Sequence, residues 1–201
     1  MKKYELTAEF IEKWGKKLFR IKALISFGNV EAGELGGYVE KEDNLAQDDN
    51  AWVHGNARVF GNARVCGNAR VCDDAEVCDD AEVFGNARVY GDARVCGNAR
   101  VCGNARVYGN ARVYGDADYL LIGRIGSRFS FTTFFKNKDK GITVSCGCFL
   151  GTIAEFRAKV SDTHGNNKHA KIYNLAADMA ELQILGEEHF ENLNTNKSEP
   201  F

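Results

Sequence analysis

The side chains best suited to chemistry lie between Gly126 and His164. Gly126-Ser127-Arg128 is a glycine turn that ends in a hydroxyl and a guanidinium. Backbone N–H groups in such a turn can hold an anion, and the planar fork of Arg128 matches a carboxylate or a phosphate. Thr132-Thr133 and Lys136 add hydroxyls and an ammonium group, Cys146-Gly147-Cys148 adds two thiols, and His164 stands beside Gly165. A specific site needs several different groups converging from rigid elements. The binding residues read from the sequence are Ser127, Arg128, Thr133, Lys136, Cys146 and His164. None is assigned a catalytic role. Neither thiol has a base nearby in sequence, and a histidine at a helix C-terminus is explained by the helix dipole.

The elements that must hold these residues follow from periodicity. Phe129 to Lys136 reads as a strand, Asn137 to Gly141 as a hairpin loop, and Ile142 to Cys148 as the returning strand with Ile142, Val144, Cys146 and Cys148 on one face. Thr152-Ile-Ala-Glu155 is a capping box opening a helix. That helix carries an apolar stripe of Ile153, Phe156 and Val160, and Gly165 stops it. A second helix spans Asn167 to Leu185, with Ile172, Tyr173, Ala176, Met179 and Leu182 expected on its inner face. Residues 121–185 therefore form a strand–strand–helix–helix module, followed by a polar tail over 186–201.

Upstream, one hexad repeats twelve times without a gap from Asp49 to Leu120, as in Gly61-Asn62-Ala63-Arg64-Val65-Cys66. Within it, small, charged, β-branched and variable residues alternate, so each hexad is a short strand with Ala and Val on one face. Gly-Asn supplies the corner, because both residues tolerate positive φ. Three hexads close an 18-residue coil, which puts residues 18 apart in one column. Glu76 then falls between Arg58 and Arg94, and Glu82 between Arg64 and Arg100. The sixth position faces outward and forms aromatic and thiol strips. Phe60, Tyr90, Tyr108 and Tyr114 are the interface candidates, to be covered by flanking segments or by a partner chain. Residues 1–36, a hairpin around Trp14-Gly15, form an N-terminal β cap for the open end of the stack. Residues 37–120 are the stack, beginning with an irregular coil over 37–48.

The pattern Val-x-x-x-Ala-x, as in Val65 to Arg70, resembles the hexapeptide repeat of left-handed parallel β-helix proteins. The left hand comes from that resemblance alone, because the general crossover rule favours the right. With Gly33-Glu-Leu-Gly-Gly-Tyr-Val-Glu40, Ile125-Gly-Ser-Arg128, Ser145-Cys-Gly-Cys-Phe149 and His164-Gly165, the chain resembles uncharacterised bacterial and prophage-encoded proteins of this type. The resemblance implies a non-enzymatic accessory factor that binds or inhibits a host factor, either a host protein or a small signalling molecule, perturbing antiviral defence. Hexapeptide acyltransferases share only the array. Their histidine base has one counterpart there, His54, and the array has no loop to shape an acceptor pocket. A weak nucleic-acid site along Arg70, Arg88 and Arg106 is a further alternative.

Composition narrows these classes. The 201 residues carry a net charge of −2, so there is no bulk attraction to polyanions or membranes. No apolar run spans a bilayer, and Met1 to Lys17 lacks the apolar core of a secretion signal. Seven cysteines, five of them at one hexad position, read as reduced thiols of a cytoplasmic protein. No metal site, cofactor or membrane partner is expected, nucleic acid is disfavoured as a partner, and homo-oligomers are allowed.

Overall fold

The computed structural model describes residues 2–187. Most of the 186–201 tail set apart in the sequence lies outside the described residues. The chain divides into two compact units, Met1–Asp116 and Ala117 onward.

The first unit is a parallel β-solenoid of 18-residue coils. Eleven two-residue strands, β4 (Trp52–Val53) to β14 (Arg112–Val113), recur every six residues. They sort into three parallel columns in the expected register: Trp52, Arg70, Arg88 and Arg106 pair on the first; Arg58, Glu76, Arg94 and Arg112 on the second; Arg64, Glu82 and Arg100 on the third. Each coil donates to the next, as from Arg70 N to Ala87 O at 3.0 Å and from Cys72 N to Val89 O at 2.9 Å. The inward Ala and Val of every one of these hexads are fully buried, each valine contributing roughly 1.5–3 kcal/mol. At the corners, positive φ falls on the glycines and on Asp49, Asp73 and Asp79, which replace them. The asparagines instead form a ladder up one edge, from Asn50 to Asn68 to Asn86 to Asn104 at 3.0, 3.1 and 3.4 Å.

Strands β1 (Tyr4–Lys13) and β2 (Lys16–Ala23) form the expected hairpin. Strand β3 (Leu35–Val39) pairs antiparallel with β2 and parallel with Arg58–Val59, so it joins the hairpin to the second column. A Cβ on Gly37 would lie 2.5 Å from the Ala57 carbonyl oxygen, so this close approach requires glycine. Lys3 and Tyr4 fasten the cap to the first coil. Lys3 Nζ donates to the carbonyls of Asp48 and Ala51 at 3.1 and 3.0 Å, and the Tyr4 hydroxyl bonds the carbonyls of Glu42 and Leu45, both at 2.8 Å.

N-terminal segments cover outward side chains on two columns. Trp52 is fully buried, with Phe27 and Tyr4 packed edge-on against it. Phe60, expected to be covered by a flanking segment or by a partner chain, is covered by the flanking hairpin: Trp14 of its tip lies 5.1 Å from the Phe60 ring, and Leu18 and Ile11 pack against the same strip. Beneath them Cys78 and Cys96 are joined in a disulfide. The expectation of reduced thiols throughout is thereby corrected. Both cysteines hold the sixth position of the second column 18 residues apart, and that register brings their Cα atoms to 4.6 Å, within disulfide reach.

The second unit has four strands before its two helices, where two were expected: β15 (Tyr119–Ile125), β16 (Ser130–Lys136), β17 (Ile142–Cys146) and β18 (Phe149–Thr152), in an antiparallel meander. The twelfth hexad makes no coil strand. Asp116–Asp118 is a short 3-10 turn, and Tyr119, which replaces the inward valine, opens β15. Gly147 turns the chain, so Cys148 leaves the strand that carries Cys146. Helix α1 (Ile153–His164) has the expected capping box, with Glu155 N donating to Thr152 Oγ1 at 3.2 Å and Thr152 N to Glu155 Oε2 at 2.8 Å. Helix α2 (Lys168–Leu185) buries Ala170, Tyr173, Ala176, Ala177, Ala180 and Ile184. Its expected inner face was wrong in Ile172, Met179 and Leu182, which are exposed. The alanines let α2 lie close on the sheet, and a different side of the helix does the packing.

Candidate functional site

Chain reversals gather the site. In a four-strand meander the β15–β16 and β17–β18 turns fall at the same end of the sheet. One supplies Ser127 and Arg128, the other Gly147 and Cys148. Helix α1 starts at the opposite end, where β18 finishes, and runs back, so its last turns bring Lys159, Thr163 and His164 to the same place. Helix α2 then starts there and contributes Tyr173. Together these elements line a cavity of about 220 Å³.

Four of the six residues singled out in the sequence meet there: Ser127, Arg128, Cys146 and His164. The other two do not. Thr133 is buried within β16, and Lys136 sits towards the far end of that strand, paired with Asp118 at 3.0 Å. The interface candidates divide as well. Tyr90 and Tyr108 stack on each other at 5.2 Å, Tyr114 is half exposed, and Phe60 is covered.

The cavity floor is aromatic. Phe156 meets Phe149 at 5.7 Å and Tyr173 at 5.6 Å, and the His164 ring stacks on Tyr173 at 5.7 Å. Cys146 is held between Thr132, whose Oγ1 lies 3.2 Å from its Sγ, and the hydroxyl of Tyr173. Burial pushes the Tyr173 phenol up, the neighbouring Cys146 adds to this, and the charge of Arg128 opposes it. Tyr173 therefore stays a neutral phenol well into the alkaline range. Gly126 makes room for it: φ is +72° there, and a Cβ would lie 1.9 Å from the Tyr173 hydroxyl oxygen.

The rim is cationic. Arg128 and Lys159 both line the cavity, and no carboxylate among the described residues does. The Arg128 guanidinium lies along the Gly147 turn, with Nη1 3.4 Å from where a Cβ would stand. Two cations, a histidine, hydroxyls and an aromatic floor suit a small ligand with an anionic group and an apolar body. Lys159 was not picked out in the sequence, and Tyr173 was read only as part of the inner face of α2. The signal for Lys159 was helical spacing: Phe156, Lys159, Val160, Thr163 and His164 fall on one side of α1.

The alternative sites are less well built. His54 is half buried, 3.9 Å from Glu34, and burial lowers its pKa despite that carboxylate. It lies on the solenoid, in the other unit. In the arginine column, Arg70 already donates to Asn29. Cys78, Asp79 and Cys96 have their ligand atoms within 4.8 Å of one another, but both sulfurs are committed to the disulfide. No helix among the described residues is long and apolar enough to cross a membrane.

Stacked coils with in-register columns and a capped end define a β-solenoid repeat protein. In sequence, residues 81–97, 93–107 and 105–117 match the YdcK β-solenoid repeat. The matched stretch is the C-terminal half of the array, and the module is outside it. No curated protein matches the chain.

Proposed function

We propose that this is a non-enzymatic binding protein whose C-terminal module takes a small anionic ligand and whose solenoid is a rigid body carrying that module. The observation behind this reading is the cavity at the ends of β15–β18 and α1, where Arg128 and Lys159 face an aromatic floor and no carboxylate among the described residues lines it. Its volume of about 220 Å³ suits a small signalling molecule better than a folded protein surface. An accessory role against a host factor, as in prophage-encoded proteins, rests on the resemblance of the hexad array and the end motifs.

Thermal unfolding in inorganic phosphate and in benzoate, each against sodium chloride of equal ionic strength, tests the reading. A ligand at ten times its Kd stabilises the folded state by about 1.4 kcal/mol. One of the two anions should raise the midpoint of the module, and Arg128→Ala should abolish the rise without lowering the midpoint in chloride. An equal response to chloride, or an undiminished response in Arg128→Ala, would overturn the assignment.

A further inference from the structure

Helix α2 has two apolar faces and the module uses one. Ile172, Leu175, Met179 and Leu182 are 39, 63, 58 and 45% exposed, while Ala170, Tyr173, Ala176, Ala177, Ala180 and Ile184 are buried on the other side. The exposed four follow a 3-4-3 spacing, the seam of two helices packing along their length. Their exposed area is on the order of 400 Å², within the range in which a monomer's largest patch is often functional. A standard interface needs about 800 Å² per partner, so the seam supplies about half and the flanking stems must supply the rest.

The charges on α2 indicate what covers it. The helix opens with exposed Lys168 and Lys171, has no acid in its first turn and no base in its last, and exposed Glu187 follows its C-cap Gly186. Cations at the N-terminus and an acid beyond the C-terminus oppose the helix dipole. Asp178, beside the seam, is already paired with Arg157 at 2.7 Å. A second α2 laid antiparallel corrects both ends at once, since each basic start then meets the acidic finish of the other copy. A parallel copy would set Lys168 and Lys171 against themselves.

We propose that α2 is a self-association surface: two copies of the chain pair the exposed seams of their α2 helices antiparallel, about a two-fold axis at the height of Ala177 along the helix. Leu175 packs against Met179 of the partner subunit, Ile172 against Leu182 of the partner subunit, and Lys168 lies beside Glu187 of the partner subunit. The same patch serves both copies, so the assembly closes as a dimer. This pairing does not depend on the cavity, which lies on the other side of α2.

Sedimentation velocity on the full chain, across roughly a hundred-fold range of micromolar concentrations, is the test. The wild type should pass from monomer to dimer. The double variant Leu175→Glu/Met179→Glu should stay monomeric with an unchanged circular dichroism spectrum, because neither side chain is in the core. Leu150→Glu, at an exposed apolar site on β18 away from the seam, should dimerise like the wild type. Lys168→Glu should weaken the dimer several-fold, and adding Glu187→Lys should restore it. A wild type that stays monomeric throughout, or a dimer that survives the double variant, would overturn the proposal. Tighter association in Lys168→Glu alone would overturn the antiparallel arrangement.

Discussion

Two glutamates at the same hexad position should differ sharply in what they contribute. Glu76 is 4% exposed and faces three cations: Lys13 from the hairpin tip, Arg58 at 2.9 Å and Arg94 at 3.1 Å. Glu82, one hexad later, has a side chain that is 41% exposed, against 6% for that of Glu76, and bonds Arg100 at 3.0 Å. Removing one partner of a buried ion pair costs about 3–5 kcal/mol, because the remaining charge stays desolvated. Here the cations keep some contact with water, with side-chain exposures of 29% for Lys13, 18% for Arg58 and 43% for Arg94. Glu76→Ala should therefore cost about 2–3 kcal/mol. Glu82→Ala should cost about 0.2–1 kcal/mol, as exposed pairs do. Salt should erode the Glu82 contribution and leave that of Glu76 nearly intact. Urea unfolding followed by far-ultraviolet circular dichroism, at low and high salt and with the disulfide intact, reads both. Loss of Glu76 should also free the hairpin tip, so the Cys78–Cys96 bond beneath it should be reduced faster. Equal losses for the two variants, or a Glu76→Ala cost within about 0.5 kcal/mol of zero, would refute the reasoning.

Val89→Asp should prevent the solenoid from folding, because Val89 is fully buried and an aspartate there is an unpaired buried charge; Arg88→Ala, at an exposed site, should cost under about 1 kcal/mol, and thermal melts separate the two. Gly126→Ala should cost about 1–3 kcal/mol, because positive φ and the Tyr173 hydroxyl both oppose a Cβ. It should also remove anion protection of the module while leaving the solenoid's melting unchanged. Burial holds the Lys3 ammonium down at about 8, against partial opposition from Asp48 and Asp49. Below that pH both states carry the charge and the folded state bears its desolvation. Above it the folded chain has shed a proton that the unfolded chain keeps, so stability should rise from pH 8 towards 9.0, the ordinary value of a thiol. Beyond 9.0 the Cys72 thiol, pushed up to about 11 by burial, opposes the rise, and beyond 10.0 Tyr4, whose pKa burial and then Glu42 raise, adds to the fall. Lys3→Met should abolish the rise in melting midpoint.

The solenoid was legible because its information is local and repeated: a period-two strand, a corner and a count of eighteen place Glu76 beside Arg58 and Arg94 without any long-range inference. The disulfide was missed: Cys78 and Cys96 share a column, but the odd total of cysteines argued for thiols. The hairpin's coverage of Phe60 was not readable, because which face a cap folds over depends on tertiary packing. In the module, the capping box at Thr152 marked α1, whereas β15 was hidden by a hexad, Gly115 to Leu120, that keeps the repeat's spacing after its inward valine has become Tyr119. The inner face of α2 was misread because its buried surface is mostly alanine, and the larger apolar residues that draw the eye are the exposed ones. Arg128 and His164 were found by their chemistry. A β16–β17 hairpin alone places Arg128 beside Gly147, but their meeting with Lys159 and His164 depends on β18, which carries the chain to the far end of the sheet so that α1 runs back towards the turns.

Chemical-shift mapping on the uniformly labelled chain tests the central claim most directly. Titration with benzoate at constant ionic strength should move the amide resonances of Ser127, Arg128, Gly147, Thr163 and His164 along one saturating curve and leave the solenoid's Ala and Val resonances in place. Shifts confined to the arginine columns of the solenoid, or no saturable shift at the turns around Arg128 and Gly147 with either benzoate or phosphate, would contradict the claim that the module carries the binding site.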